Sequence, residues 1–182
     1  MIGIRRGTAD DLPRILEIYR AAREFMKRSG NPTQWGSVYP PEEIVKDDIA
    51  LGLSHVLTED GEVHGVFALC PGPDPTYASI DGAWLNDGAY AAIHRIATDG
   101  RIHGAVRAAA DYARSMYGNV RADTHRDNKI MQKKLSECGF LRCGIIITHD
   151  GTPRIAYQAT NFEKTLTNQN DCVIISSVDK RL

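Results

Sequence analysis

The stretch Ile93–Gly118, IHRIATDGRIHGAVRAAADYARSMYG, changes its period within a few residues. It opens as a short apolar segment, which reads as a strand. It closes as an alanine-rich run that puts Ala105, Ala109, Tyr112, Ala113 and Met116 on or near one helical face. Between the two, TDGRIHG places two glycines and two basic groups at a strand-to-helix junction. A helix N-terminus offers unpaired backbone N–H groups and the positive end of the helix dipole, and both favour phosphate. Gly100 and Gly104 permit close approach or positive φ, and Arg101 and His103 can add charge-assisted bonds. A tight βα turn explains the same glycines without a ligand. The segment is neither a GxxxxGK[ST] loop nor a GxGxxG turn with its acidic partner downstream.

Outward from this junction the chain alternates strand and helix signals. Residues 2–6 read as a first strand. In TADDLPRILEIYRAAREFMKRSG, Leu12, Ile15, Ile18, Tyr19, Ala22, Phe25 and Met26 recur at helical spacing. Either Thr8 with Asp11 in a capping box, or Asp10 as N-cap with Pro13 in the first turn, starts that helix. NPTQWGSVYPP is a loop, and Pro41 suits the start of a second helix ended by Gly52. Asp60-Gly61 and Asp150-Gly151 each mark a hairpin between apolar segments. A polar and aromatic linker, 71–90, precedes the strand AAIHRIATD; NVRADTH is the next strand and DNKIMQKKLSECG the last long helix. The order is β-α-α-β-β-β-α-β-α-β-β, an α/β (α+β) chain with about seven strands. One domain is expected over 1–160, with 161–182 an extension in which CVIISSV is either an added strand or part of a disordered tail.

The totals narrow the function classes. A chain of 182 residues suits one core, and a formal net charge of −1 gives no global attraction to nucleic acid or anionic membrane. The start, MIGIRRG, has no signal-peptide apolar region, and no run approaches the roughly 20 residues that span a bilayer. Cys70, Cys138, Cys143 and Cys172 lack zinc-like pairing and read as free thiols, with Cys70 and Cys138 in the core. The expectation is a soluble cytoplasmic protein, monomer or homodimer, with no bound metal.

The order, the junction and a later motif together resemble the GCN5-related N-acetyltransferase (GNAT) superfamily. That resemblance implies a mixed, splayed central sheet flanked by helices, with acetyl-CoA entering between the fourth and fifth strands. The family's turn after the fourth strand is Q/R-x-x-G-x-G/A. RIHGAV supplies Arg101 and Gly104, with Val106 where Gly or Ala is usual. The resemblance assigns the pyrophosphate to the backbone amides of Arg101, Ile102, His103, Gly104, Ala105 and Val106. It points to Ile96 or Ala97, at a bulge of the fourth strand, for the acetyl carbonyl. In DNKIMQKKLSECGF, Asn128 stands for the family's Asn after the fifth strand, touching the pantetheine arm or setting the helix start. Gly139-Phe140 stands for its Gly-Phe pair, and Leu135 occupies the position of a Tyr that in many members protonates the CoA thiolate.

Acetyl transfer to an amine needs a base, an oxyanion donor and a proton for the thiolate. No Ser-His-Asp order stands out, so direct attack on acetyl-CoA is expected. His94, on the central strand, ranks first as the base and His125, ending the next strand, second; either can equally be a structural histidine. His55 and His64 lie in the hairpin, further off. Asp123 or Asp127 can orient His125, and Asp127 can instead cap the following helix. Trp35, Tyr39, Trp84 and Tyr90, in loop-like sequence, are candidates to line an amine pocket, with Glu24, Asp81 and Asp87 as its charges. The acceptor is a small-molecule or peptide amine of unidentified structure. A non-enzymatic CoA-binding protein on the same fold is the alternative, and another βα nucleotide-binding protein the third reading.

Overall fold

In the computed structural model, residues 1–161 are described; 162–182, including CVIISSV and Cys172, lie outside the described residues. The elements in chain order are β1 Gly3–Arg6, α1 Leu12–Arg28, α2 Glu42–Ala50, β2 Ser54–Glu59, β3 Glu62–Pro71, β4 Asp81–Gly82, β5 Ala91–Thr98, α3 Ala105–Tyr117, β6 Asn119–Thr124, α4 Lys129–Glu137, β7 Leu141–Ile147 and β8 Pro153–Thr160. They build one sheet in the order β1-β2-β3-β5-β6-β8-β7-β4. Among the described residues only β5 and β6 pair in parallel; every other neighbouring pair is antiparallel.

Among the described residues the strand count is eight, against the expected seven or so. The additional strand, β4, is two residues long and lies inside the linker expected to be irregular. Asp81 and Gly82 pair with Ile145 and Gly144. Two residues carry no alternation, so no periodic signal marks them. The approach is close enough that a Cβ on Gly144 would stand 2.2 Å from the Asp81 carbonyl oxygen.

Local chemistry explains most boundaries. The Asp11 carboxylate accepts the Thr8 backbone N–H and hydroxyl at 2.9 Å each, so Thr8 and Asp11 fix the entry to α1. Asp60 and Gly61 both have positive φ, 52° and 85°, as a two-residue hairpin turn with the right-handed strand twist requires. The sheet then separates two apolar layers. Ile15, Ile18 and Tyr19 of α1 and Val45 of α2 pack with Val56, Val66 and Ala97. Ala105, Ala109, Ala110 and Ala113 of α3 and Leu135 of α4 pack with Leu57, Phe67, Leu69 and Ile93. Alternation along β2 and β3 thus feeds both layers.

Three residues expected inside lie elsewhere. Phe25 is 50 % exposed and Met116 51 %, both near the C-terminal ends of their helices. Cys138 is buried, but Cys70 is only half-buried and lines a cleft.

Leu135 is 3 % exposed and belongs to the α3–α4 core. Leu135→Ala should lower unfolding free energy by about 2–5 kcal/mol through lost contacts and a residual cavity. Urea denaturation measures this, and a loss under ~1 kcal/mol would mean the site collapses around the smaller side chain.

Candidate active site

β5 and β6 are in register at Ala91–Val120, Ala92–Arg121 and Ile93–Ala122, and there the pairing stops. β5 continues to Thr98 and β6 to Thr124, so their ends part. Just past the last pair β5 bulges: it takes three steps from His94 to Ala97 while β3 takes two from Ala68 to Val66. Arg95, the extra residue, adopts φ 53°, a left-handed conformation that an L side chain enters only at a cost. Its guanidinium grips Asp48 of α2 with both arms, at 2.9 and 2.7 Å. Burial pushes the Asp48 carboxyl up against the pull of Arg95; burial also works to lower Arg95, but Asp48 and Tyr39 together raise it.

The gap between the strand ends opens into a cleft of about 1610 Å³, lined on one side by the bulge and the loop into α3 and on the other by the α1–α2 loop and the β7–β8 turn. Ile96, Ala97, Ile102, His103, Gly104, Ala105, Val106 and Asn128 all line it. Gly104 is the N-cap of α3 with φ 83°, and Gly100 has φ 86°; the space beside both is open. Arg101 departs from expectation: it does not line the cleft, and its backbone N–H donates to Asp99 Oδ1 at 2.9 Å.

Asp99 braces this loop. Its backbone N–H donates to the His64 carbonyl at 3.0 Å, and its Oδ2 meets His64 Nδ1 at 2.9 Å and Arg14 NH2 at 2.5 Å. Burial works to raise the Asp99 carboxyl, but His64, the Arg101 N–H and Arg14 together hold it below its ordinary value. His64, expected to lie off the site, therefore supports the loop from β3.

Asn128 caps α4. Its side-chain oxygen accepts the Met131 N–H at 3.0 Å, which leaves Asp127 without the capping role. Its amide nitrogen donates to Gln34 Oε1 at 3.0 Å, and Gln34 Oε1 also accepts from Asn31 Nδ2 at 2.9 Å. Gln34, in the loop between α1 and α2, thus ties one wall of the cleft to the other.

His94 faces two carboxylates. Its Nε2 lies 2.9 Å from Asp74 Oδ2 and its Nδ1 3.9 Å from Asp123 Oδ1. The buried Tyr77 hydroxyl donates to Asp123 Oδ1 at 2.7 Å, and the Tyr77 and His94 rings are 5.8 Å apart. The His94 hydrogen bond, foremost, lowers Asp74 to about 2 against the effect of burial. An ionised Asp74 only accepts, so the shared proton sits on His94 Nε2, which in the neutral imidazole leaves Nδ1 as the acceptor. Asp74 and Tyr77 lie in the linker 71–90 and were not singled out from sequence.

The other candidates divide. Glu24, Trp35 and Tyr39 line the cleft, with Trp35 edge-on to Tyr19 at 5.7 Å and Glu24 paired to Lys27 at 2.9 Å. His125 does not line it; it is 8 % exposed, its Nδ1 accepts the Asp127 N–H at 3.3 Å, and burial lowers its pKa. Trp84 and Tyr90 also face elsewhere: each lies 3.9 Å from the Arg121 guanidinium, which they sandwich. With Asp87 they line a separate open pocket of about 400 Å³, and Asp74 lies between the two pockets. Asp81 is exposed on β4. Among the described residues no group of acidic, histidine and cysteine side chains can hold a metal ion, and no helix is long and apolar enough to cross a membrane.

No protein-family model and no curated protein matches the sequence. Solved structures do. A GNAT-family acetyltransferase from Streptococcus agalactiae is 29 % identical with a TM-score of 0.81, over 89 % of this chain and 96 % of that one. The yncA protein of Salmonella typhimurium, solved with its cofactor acetyl-CoA, is 17 % identical at TM-score 0.56, over 90 % and 96 %. An aminoglycoside acetyltransferase in complex with coenzyme A and kanamycin is 19 % identical at TM-score 0.58, over 88 % and 95 %. The fold is the GNAT fold.

Two outcomes check this geometry. Asp48→Ala leaves the half-buried Arg95 unpaired at a strained position and should cost about 3–5 kcal/mol in urea denaturation, with much of it recovered when Arg95→Met is added. Nitrogen-15 NMR should show neutral His94 protonated on Nε2 in the native protein. In Asp74→Asn that preference should fall, whereas an unchanged tautomer would mean Asp74 does not set it.

Proposed function

We propose that this chain is an acetyl-CoA-dependent N-acetyltransferase that acetylates a primary amine by direct attack. One observation carries the reading: a histidine held by an ionised carboxylate faces the same cleft as a glycine-capped helix N-terminus, and both follow the point where β5 and β6 part. Acetyl-CoA and coenzyme A bound to the GNAT-fold proteins from Salmonella typhimurium and of the aminoglycoside acetyltransferase support the cofactor.

In this reading the pyrophosphate sits on the backbone N–H groups of residues 102–106, where donors and helix dipole converge. The acetyl carbonyl meets the bulge at Ile96 or Ala97. His94 Nδ1 takes a proton from the substrate ammonium, and the nearby Asp123 carboxylate favours the imidazolium that results. The freed nitrogen lone pair attacks the thioester carbon, the C–S bond breaks as the tetrahedral intermediate collapses, and the nitrogen sheds a second proton. That proton leaves with the CoA thiolate, since buried Leu135 occupies the position a tyrosine acid would fill. The three free thiols among the described residues suit a reducing, cytoplasmic location.

Leu135 also favours a second reading, a CoA-binding protein without catalysis. Thiol release from acetyl-CoA with a panel of amines separates the two: turnover of any amine establishes the enzyme, and saturable acetyl-CoA binding with no turnover across the panel leaves the binder.

Gly104→Val should weaken acetyl-CoA at least tenfold in titration calorimetry, because a branched side chain at φ 83° both strains the cap and fills the approach path. Unchanged affinity in a folded variant rejects the phosphate position. His94→Ala should lower kcat/KM for an accepted amine by about 100-fold near pH 7, within the range for general bases. The deficit should shrink as pH rises and more free amine is present. Full activity of His94→Ala from neutral pH downward would remove His94 as the base.

A further inference from the structure

Arg154 carries a charge that the Asp150 carboxyl of the β7–β8 turn feels but does not pair with. It stands on β8, where Ile155 pairs with Thr124 and Ala156 with Asp123, so Arg154 lies one position past the end of the β6–β8 ladder. It lines the cleft and is 8 % exposed. One arm donates to the Gln34 carbonyl at 3.2 Å; the other, NH1, is buried with no partner among the described residues. No carboxylate among the described residues pairs with it. A guanidinium removed from water without a paired counter-charge is unfavourable, and its planar fork matches a carboxylate.

The pleat puts Arg154 on the same face of the sheet as Ala156 and hence as Asp123, on a diagonal that spans about 7–8 Å between backbones. The cleft therefore presents Asp74, Asp123 and His94 for a cation and, a short distance away, a cation without an ion pair for an anion. An acceptor carrying only an amine would satisfy the first set and leave Arg154 as it is.

We propose that the acceptor is a small amino carboxylic acid, its ammonium at Asp74, Asp123 and His94 and its carboxylate on Arg154. Arg154 is then the residue that selects zwitterions over plain amines. Phe25, Trp35 and Tyr39 line the same cleft and suit an apolar side chain. This inference rests on the N-acetyltransferase reading for the reaction but not for the binding.

The test uses three matched pairs that differ only in the carboxylate: leucine with isoamylamine, phenylalanine with phenethylamine, and tyrosine with tyramine. Each is assayed for turnover, and separately for calorimetric binding to the full chain with CoA present. The native protein should favour at least one amino acid over its amine by about 10- to 100-fold, the range of a charge-assisted hydrogen bond. Arg154→Met should erase that preference with little change for the amine, and Arg154→Lys should retain part of it. Acetyl-CoA affinity and urea denaturation report whether Arg154→Met folds; if it does not, Arg154→Gln and Arg154→Lys carry the comparison. Equal handling of both members of every pair by the native protein overturns the proposal, as does an equal loss on both in the variants. Failure of all six compounds to bind at millimolar concentration also overturns it. Binding with an Arg154-dependent preference but no turnover supports the carboxylate site while rejecting acetyl transfer.

Discussion

Arg95 and Asp48 meet at the place where the sheet changes character. Up to Ile93 the central strands form an ordinary parallel pair; past it β5 bulges through a left-handed residue and its continuation leaves β6 behind. A lone arginine in that conformation, half-withdrawn from water, would be unfavourable twice over, in backbone and in solvation. The two-armed bond to Asp48 offsets both and anchors the bulge to α2. Position follows from it: Ile96 and Ala97 turn to line the cleft, and His94 at the bulge's start is aimed between Asp74 and Asp123. The opening that admits a ligand is thus an irregularity held in place from the opposite layer.

The loop into α3 shows the same economy of support. Asp99 draws on α1 through Arg14, on β3 through His64 and on its own loop through the Arg101 N–H. Three elements converge on one carboxylate before any ligand arrives. A loop fixed in this way loses little conformational freedom on binding, which is how preorganisation converts contact into affinity. Gln34 does the corresponding work on the acceptor wall, joining the α1–α2 loop to the cap of α4.

What the sequence made readable is what short-range chemistry encodes. Thr8 with Asp11, Asp60-Gly61 and the alanine face of α3 each declare an element within a few residues, and together they carry the topology. The carboxylates around His94 were not readable, because Asp74 is 20 residues before it and Asp123 lies on a neighbouring strand. Arg14 and Asp99 are 85 apart. Contacts made across a sheet leave no periodic trace. Trp84 and Tyr90 misled for a related reason: aromatic residues in a loop look alike whether they wall a cleft or, as here, enclose Arg121. His125, expected to end its strand, falls one residue past Thr124, the last of β6, and its ring is committed to the Asp127 N–H.

The two tryptophans of the chain occupy optically distinct places. Trp84 is fixed between the Tyr77 carbonyl, which accepts its indole N–H at 3.1 Å, and the Arg121 guanidinium. Trp35 borders the cleft with its ring against Tyr19 and Tyr39. Changes in indole emission on filling the acceptor end therefore belong to Trp35, while Trp84 supplies a constant background. The fold carries its own fluorophore beside the space where the acceptor is proposed to bind, and occupancy is open to direct optical reading without a label.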